Sequence, residues 1–150
     1  LKRGPRAVRS GFPEEAMMAY WLLKSEPESY SWDDLVREGE TEWTGVRNPA
    51  AALHLKAMAV GDRGLFYHSG KEKAAVGVME ITRTAQQDGD EPRWVSVAVK
   101  PVEALAKPVT LAAMKAEPKL AGMEMLRQSR LSVSPVSDAQ WAVLTGMAKG

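Results

Sequence analysis

The chain has no cysteine, which excludes disulfides, thiol catalysis and thiolate metal sites. Only two histidines occur, His54 and His68; they do not form a metal-ligand pair, and no carboxylate spacing beside them completes a zinc pattern. No phosphate-cradling loop ending in Gly-Lys-Ser or Gly-Lys-Thr is present, and no Gly-x-Ser-x-Gly elbow. No apolar run approaches a membrane span. An excess of one charge is also lacking: the formal net charge is +1. Lys2, Arg3, Arg6 and Arg9 are four of the 20 basic residues, and Glu14 and Glu15 two of the 19 acidic ones, so the remainder holds 16 basic against 17 acidic. A near-neutral body does not coat nucleic acid through a broad basic face, so any such contact is local.

Residues 1–16 are basic but contain Gly4, Pro5, Gly11 and Pro13 and lack an apolar h-region, unlike a secretory signal. They read as a disordered N-terminal extension or an over-long gene start, with Met17 and Met18 just ahead of the first strand. Residues 17–150 fit one domain, and a hydrophobic content of 45% suffices for a sizeable core. A cytoplasmic location is the default expectation.

What is present is organised around Tyr20-Trp21-Leu22-Leu23-Lys24-Ser25-Glu26-Pro27. Tyr20 to Leu23 is uncharged and long enough for a buried strand. It stops in a cation, a hydroxyl and a carboxylate before Pro27, delivering three hydrogen-bonding groups to one place on the rim of a core. Ser31 with Asp34 resembles a capping box, and Gly39 a stop, so a short helix lies between with Leu35 and Val36 turned inward. Asn48 caps a second helix with Pro49 at its first position, running through Met58 with Leu53, Ala57 and Met58 on one side. Leu65 to Ser69 is a strand with a polar end. Ala75 to Ile81 is another, where Gly77 suggests a bulge or a close backbone approach.

Gln86 to Pro92 is a polar loop. Trp94, Ser96 and Ala98 then alternate with Val95, Val97 and Val99. Val102 to Val109 reads as a strand broken near Pro108, followed by helical turns from Thr110 and Pro118. Met123 to Arg130 is irregular or helical, and Leu131 to Val136 is extended. Ser137 and Gln140 make a second capping box ahead of a helix through Trp141, Leu144 and Met147. The mixture lacks a regular βαβ rhythm, which favours an α+β domain on a small, strongly curved sheet.

His54 lies within a helix and reads as a boundary residue. His68 closes a strand beside Ser69, but adjacent residues on a strand face opposite ways and cannot pair as nucleophile and base. Five tryptophans is high for 150 residues. Trp32, Trp94 and Trp141 read as packing residues. Trp43 stands in a loop before Gly45, with Thr44 beside it and Arg47 close behind. An indole face near hydroxyls, a lysine and an arginine suits a flat, hydrogen-bonding ligand such as a nucleobase.

Five stretches occur in one order: Tyr20 to Pro27, Trp43-Thr-Gly-Val-Arg-Asn48, Gly61-Asp62 with Phe66-Tyr-His-Ser69, Pro92-Arg-Trp94, and Arg130 to Val136. Together they resemble the EVE domain family, the thymocyte nuclear protein-like group of the PUA-like superfamily that also holds the YTH readers. The resemblance covers residues 19 to about 145. It implies a PUA-like fold, a barrel-like curved mixed sheet flanked by short helices, and a pocket that receives a modified nucleobase, such as a methylated cytosine, flipped out of DNA or RNA. By that resemblance Lys24, Ser25 and Glu26 line the pocket mouth and floor. Trp43 supplies an aromatic wall with Thr44 beside it, and Trp21 is wall or core. Tyr67, His68 and Ser69 close the other side, while Arg47 and Asn48 hold the pocket loop or a phosphate.

Two departures from the family pattern stand out. Pro49 to Leu53 replaces the polar residues that usually follow Asn48, and the loop from Thr84 to Glu91 is short.

The expected function is a non-catalytic nucleic-acid-binding module that captures one modified base, with no catalytic residues, no metal, no cofactor and no membrane partner. The alternatives are a small hydrolase or transferase acting on a nucleoside-like molecule in the same pocket, or a protein-interaction module. Stacking one base contributes about 1–3 kcal/mol, whereas millimolar affinity needs about 4 kcal/mol. Edge hydrogen bonds and a few phosphates must supply the rest, so the expected salt dependence is shallow. The sequence does not fix oligomeric state; a monomer is the default.

Overall fold

The structure, a computed structural model, describes residues 18–149. The expected extension over residues 1–16 lies outside the described residues. In chain order the elements are β1 (Tyr20–Ser25), α1 (Trp32–Glu38), β2 (Thr41–Trp43), α2 (Pro49–Ala57), β3 (Arg63–His68), β4 (Ala74–Gln87), β5 (Val95–Thr110), α3 (Leu111–Ala116), α4 (Glu124–Arg127), β6 (Val133–Val136) and α5 (Asp138–Met147), with a 3-10 turn at Pro118–Leu120. No helix among the described residues is long and apolar enough to cross a membrane.

The strands form one mixed sheet in the order β2-β5-β4-β3-β1-β6. β1 runs parallel to β3, with Leu22 opposite Leu65, and antiparallel to β6, with Leu22 opposite Ser134. The other pairs are antiparallel. The apolar run at the head of the chain is therefore an inner strand, paired on both sides, and alternation sends its residues to two cores. Trp21 and Leu23 join Phe66, Met79, Ile81, Val97 and Val99 under α1 and α2. Leu22 joins Leu65, Tyr67, Val78 and Val136 on the opposite face, covered by Met114, Leu120, Met123 and Leu144. Each fully buried large aliphatic side chain contributes about 1.5–3 kcal/mol to holding its layer.

β4 and β5 are long because they bend. Their register shifts at four places, and each inserted residue breaks the ladder and sharpens the twist. The largest shift moves the partner from Val109, opposite Ala75, to Ala104, opposite Gly77. The break expected near Pro108 is thus a bulge within a continuous strand. Lys107 there donates its N–H to Ala148 at 3.0 Å instead of to the sheet. Gly77 also allows a close approach: a Cβ at this position would lie 2.4 Å from the Trp32 ring.

Both capping boxes form, at Ser31 with Asp34 and at Ser137 with Gln140, and Asn48 caps α2. Two helix faces differ from expectation. Leu35 is fully buried but Val36 is 53% exposed, because consecutive helical residues are about 100° apart and only one can meet the sheet. On α2 the buried residues are Ala51, Ala52 and Leu55, while Leu53 is 64% exposed. Starting the helix at Pro49 turns the 51, 55, 58 row inward, and so alanine-rich a helix does not announce its face.

Candidate nucleic-acid-binding site

A hollow of about 490 Å³ opens where β1 leaves the sheet. Its lining comes from three places: the end of β1 and the turn after it (Lys24, Ser25, Ser29, Tyr30), β2 and the segment following it (Thr41 to Asn48), and Ser132 ahead of β6.

The first wall is set by Ser25. Its hydroxyl donates to the Tyr30 carbonyl at 2.6 Å, while the N–H groups of Ser29 and Tyr30 both donate to the Glu26 carbonyl at 2.9 Å. That folds the Pro27 turn back and holds Tyr30 against the hollow. Burial pushes the Tyr30 phenol above its ordinary value, and Glu38, which accepts from the hydroxyl at 2.8 Å, adds to the shift.

The second wall is Trp43. The residue is 7% exposed and its ring meets Phe66 edge-on at 5.3 Å, so one indole serves both the core and the hollow. Beyond it Gly45, at φ 82, takes a backbone conformation that a side chain would strain. The Gly45 N–H donates to Asp88 at 2.8 Å, and Arg47 donates to the same carboxylate oxygen at 3.0 Å and to the Asp88 carbonyl at 3.3 Å. The Gly45 hydrogen bond, then the Arg47 contact, holds the Asp88 carboxyl below its usual range. Arg47 also lies 5.8 Å over the Trp94 ring. The side chain of Asn48 is taken up capping α2, accepting from Ala51 at 2.9 Å.

The third part is a turn clamped by Lys24. The backbone N–H of Lys24 donates to Ser132 and its ammonium to the Ser129 carbonyl, each at 2.9 Å. The ammonium also stands 5.8 Å from the Tyr67 ring. Burial lowers the Lys24 ammonium from its ordinary value and raises the Tyr67 phenol.

Of the residues that sequence pointed to, Lys24, Ser25, Trp43, Thr44, Arg47 and Asn48 come together around the hollow. Five do not line it. Trp21 is buried with its indole N–H donating to Asp62 at 2.9 Å, so it is core. Glu26 is exposed and contributes its carbonyl to the turn. Tyr67 belongs to the core on the other face of the sheet. His68 lies beneath α1, its Nε2 accepting from the Trp32 N–H at 3.0 Å and its Nδ1 bonded to Glu72 at 2.6 Å. Ser69 continues the strand pairing, donating its N–H to the Ser25 carbonyl at 2.9 Å.

Sequence reasoning missed Tyr30, Asp88 and Ser132. Tyr30 carried one signal, standing directly before a capping serine. Asp88 carried none, since its partner is 43 residues away. Among the described residues no group of three or more His, Asp or Glu side chains could hold a metal ion.

The family model of the EVE domain matches residues 19–147. Human thymocyte nuclear protein 1 is 30% identical over 161 residues, an alignment covering 83% of this chain and 72% of that one. A Rhodopseudomonas palustris protein solved by NMR is 48% identical with a TM-score of 0.82, covering 87% of this chain and 93% of that one. The crystal structure of human THYN1 protein in complex with 5-methylcytosine containing DNA is 28% identical with a TM-score of 0.83, covering 88% and 98%. The open six-stranded sheet and its flanking helices are the PUA-like fold of these relatives, and the chain belongs to the EVE domain family.

Proposed function

We propose that this protein is a non-catalytic reader of a modified nucleobase, with the 490 Å³ hollow as its base-binding site. The observation that carries this reading is the hollow itself. A tryptophan and a tyrosine stand around it with hydroxyls and backbone amides near by, in a chain similar along most of its length to a protein solved with 5-methylcytosine containing DNA. A single base turned out of a DNA or RNA strand fits this arrangement, its plane on an aromatic face and its edge on polar groups.

The hydroxyl in the hollow supports binding over turnover. Ser25 directs its proton at the Tyr30 carbonyl, no histidine lines the hollow, and both ring nitrogens of His68 are engaged elsewhere. A serine whose proton is directed at a carbonyl and not at a base is a weak nucleophile.

The test is a fluorescence anisotropy titration of DNA and RNA oligonucleotides that differ at one position, unmodified cytosine against 5-methylcytosine. A methyl fitted to an apolar slot discriminates by roughly 10- to 200-fold. Equal affinity across the panel overturns the reading, as does product formed from any of the oligonucleotides or their nucleosides.

A further inference from the structure

The lysine near the end of β1, in the lining of the hollow, also clamps a turn. The Leu131 N–H donates to the Gln128 carbonyl at 3.0 Å, closing a turn over Gln128–Leu131 with Ser129 and Arg130 at its tip. Lys24 grips both sides of that turn, through its ammonium to Ser129 and its backbone N–H to Ser132. Leu131 is anchored in the core, and Ser132 lines the hollow.

What this clamped turn displays is Arg130, exposed and with no hydrogen bond or ion pair among the described residues. The arginine in the lining itself, Arg47, is paired with Asp88 at 3.0 Å. Arg93, beyond it, pairs with Glu91 at 3.3 Å. Arg127, three residues before Arg130, pairs with Glu124 at 3.5 Å. An unpaired guanidinium at the tip of a fastened turn, two residues from the lining of a base-sized hollow, is a fork for a phosphate.

We propose that Arg130 holds a backbone phosphate flanking the captured base, with Lys24 as the positioning residue that fixes its turn. The assignment rests on the base-reader reading and adds the path of the strand: the nucleic acid crosses the β6 side of the hollow, past Arg130, and not the Asp88 side. The partner is a polynucleotide with at least one phosphate beside the modified base, so a free nucleoside forgoes this contact.

The experiment is a salt titration of the full chain with a 5-methylcytosine oligonucleotide, run beside the free 5-methylcytosine nucleoside. In Arg130→Gln, the slope of log affinity against log salt should fall by about 0.7 for a single strand or 0.9 for a duplex. Affinity for the nucleoside should be unchanged. Lys24→Met should lose part of the same slope, and Lys24→Arg, which keeps a donor for Ser129, should recover it. An unchanged slope in Arg130→Gln overturns the assignment. A wild-type protein that binds the nucleoside as tightly as the oligonucleotide also overturns it and leaves base capture standing. A wild-type protein that binds neither removes base capture and the phosphate contact together.

Discussion

The backbone N–H of Trp32 donates to Nε2 of His68 at 3.0 Å, which makes that nitrogen an acceptor and leaves Nδ1 to donate to Glu72 at 2.6 Å. The ring is a splint between the start of α1 and the end of β3, two residues from Tyr30 in the wall of the hollow. His68→Ala leaves a buried N–H without a partner, at a cost of about 1–3 kcal/mol. The expected result is a lower urea midpoint with an unchanged slope, accompanied by weaker oligonucleotide binding. An unchanged midpoint would show that water or another group takes the place of the imidazole.

Trp32 also fills the space that a side chain at position 77 would need. Gly77→Ala places a methyl 2.4 Å from its ring, and overpacking of this kind costs about 1–3 kcal/mol. Trp32→Ala costs about 3–5 kcal/mol alone. In the double variant the methyl no longer meets that ring, so the two losses should be clearly less than additive. Strict additivity in chemical denaturation would refute the close packing.

Trp43 has two roles that one substitution can separate. Trp43→Ala removes a core ring packed on Phe66, and a loss of about 3–5 kcal/mol in stability accompanies the loss of binding. Trp43→Phe keeps most of the packing but presents a smaller face to the base. It should weaken modified-base binding by up to about 1–3 kcal/mol, the range of one stacking contact, with a smaller change in midpoint. Binding that survives Trp43→Phe unaltered argues against stacking on this indole.

Asp88 makes the loop pH-dependent. Its folded-state value is depressed, first by the Gly45 N–H and then by Arg47, so its stabilising effect is present above the ordinary aspartate value of about 3.9. That effect is lost as pH falls through the lower folded-state value, where the carboxylate takes up a proton. Protection of the Gly45 amide, the NMR exchange rate divided into the intrinsic rate at each pH, should fall on acidification. Asp88→Asn should exchange fast at neutral pH and show no such acid step.

Much of this molecule can be read locally. Ser31 with Asp34, Ser137 with Gln140, and Asn48 before Pro49 mark helix starts, because a cap is a contact between residues three apart. The Tyr20 to Pro27 run announces a buried strand with a polar exit, and the ordered motifs announce the family. Trp43, Thr44 and Arg47 stand together in sequence and remain together at the hollow.

Local pattern could not assign faces or partners. On β3, alternation separates Tyr67 from His68, but which of them meets the hollow depends on strands and helices far away in the chain, and neither does. The exit of β1 was determined by the sequence itself, since a charge-free run that turns polar before Pro27 can end only at a rim. That the Lys24 ammonium turns to Ser129, 105 residues away, and that Arg47 is bound by Asp88, was decided by the fold. A hydrogen-bonding group takes whichever partner the packed chain brings within about 3 Å, and sequence distance carries no record of that choice.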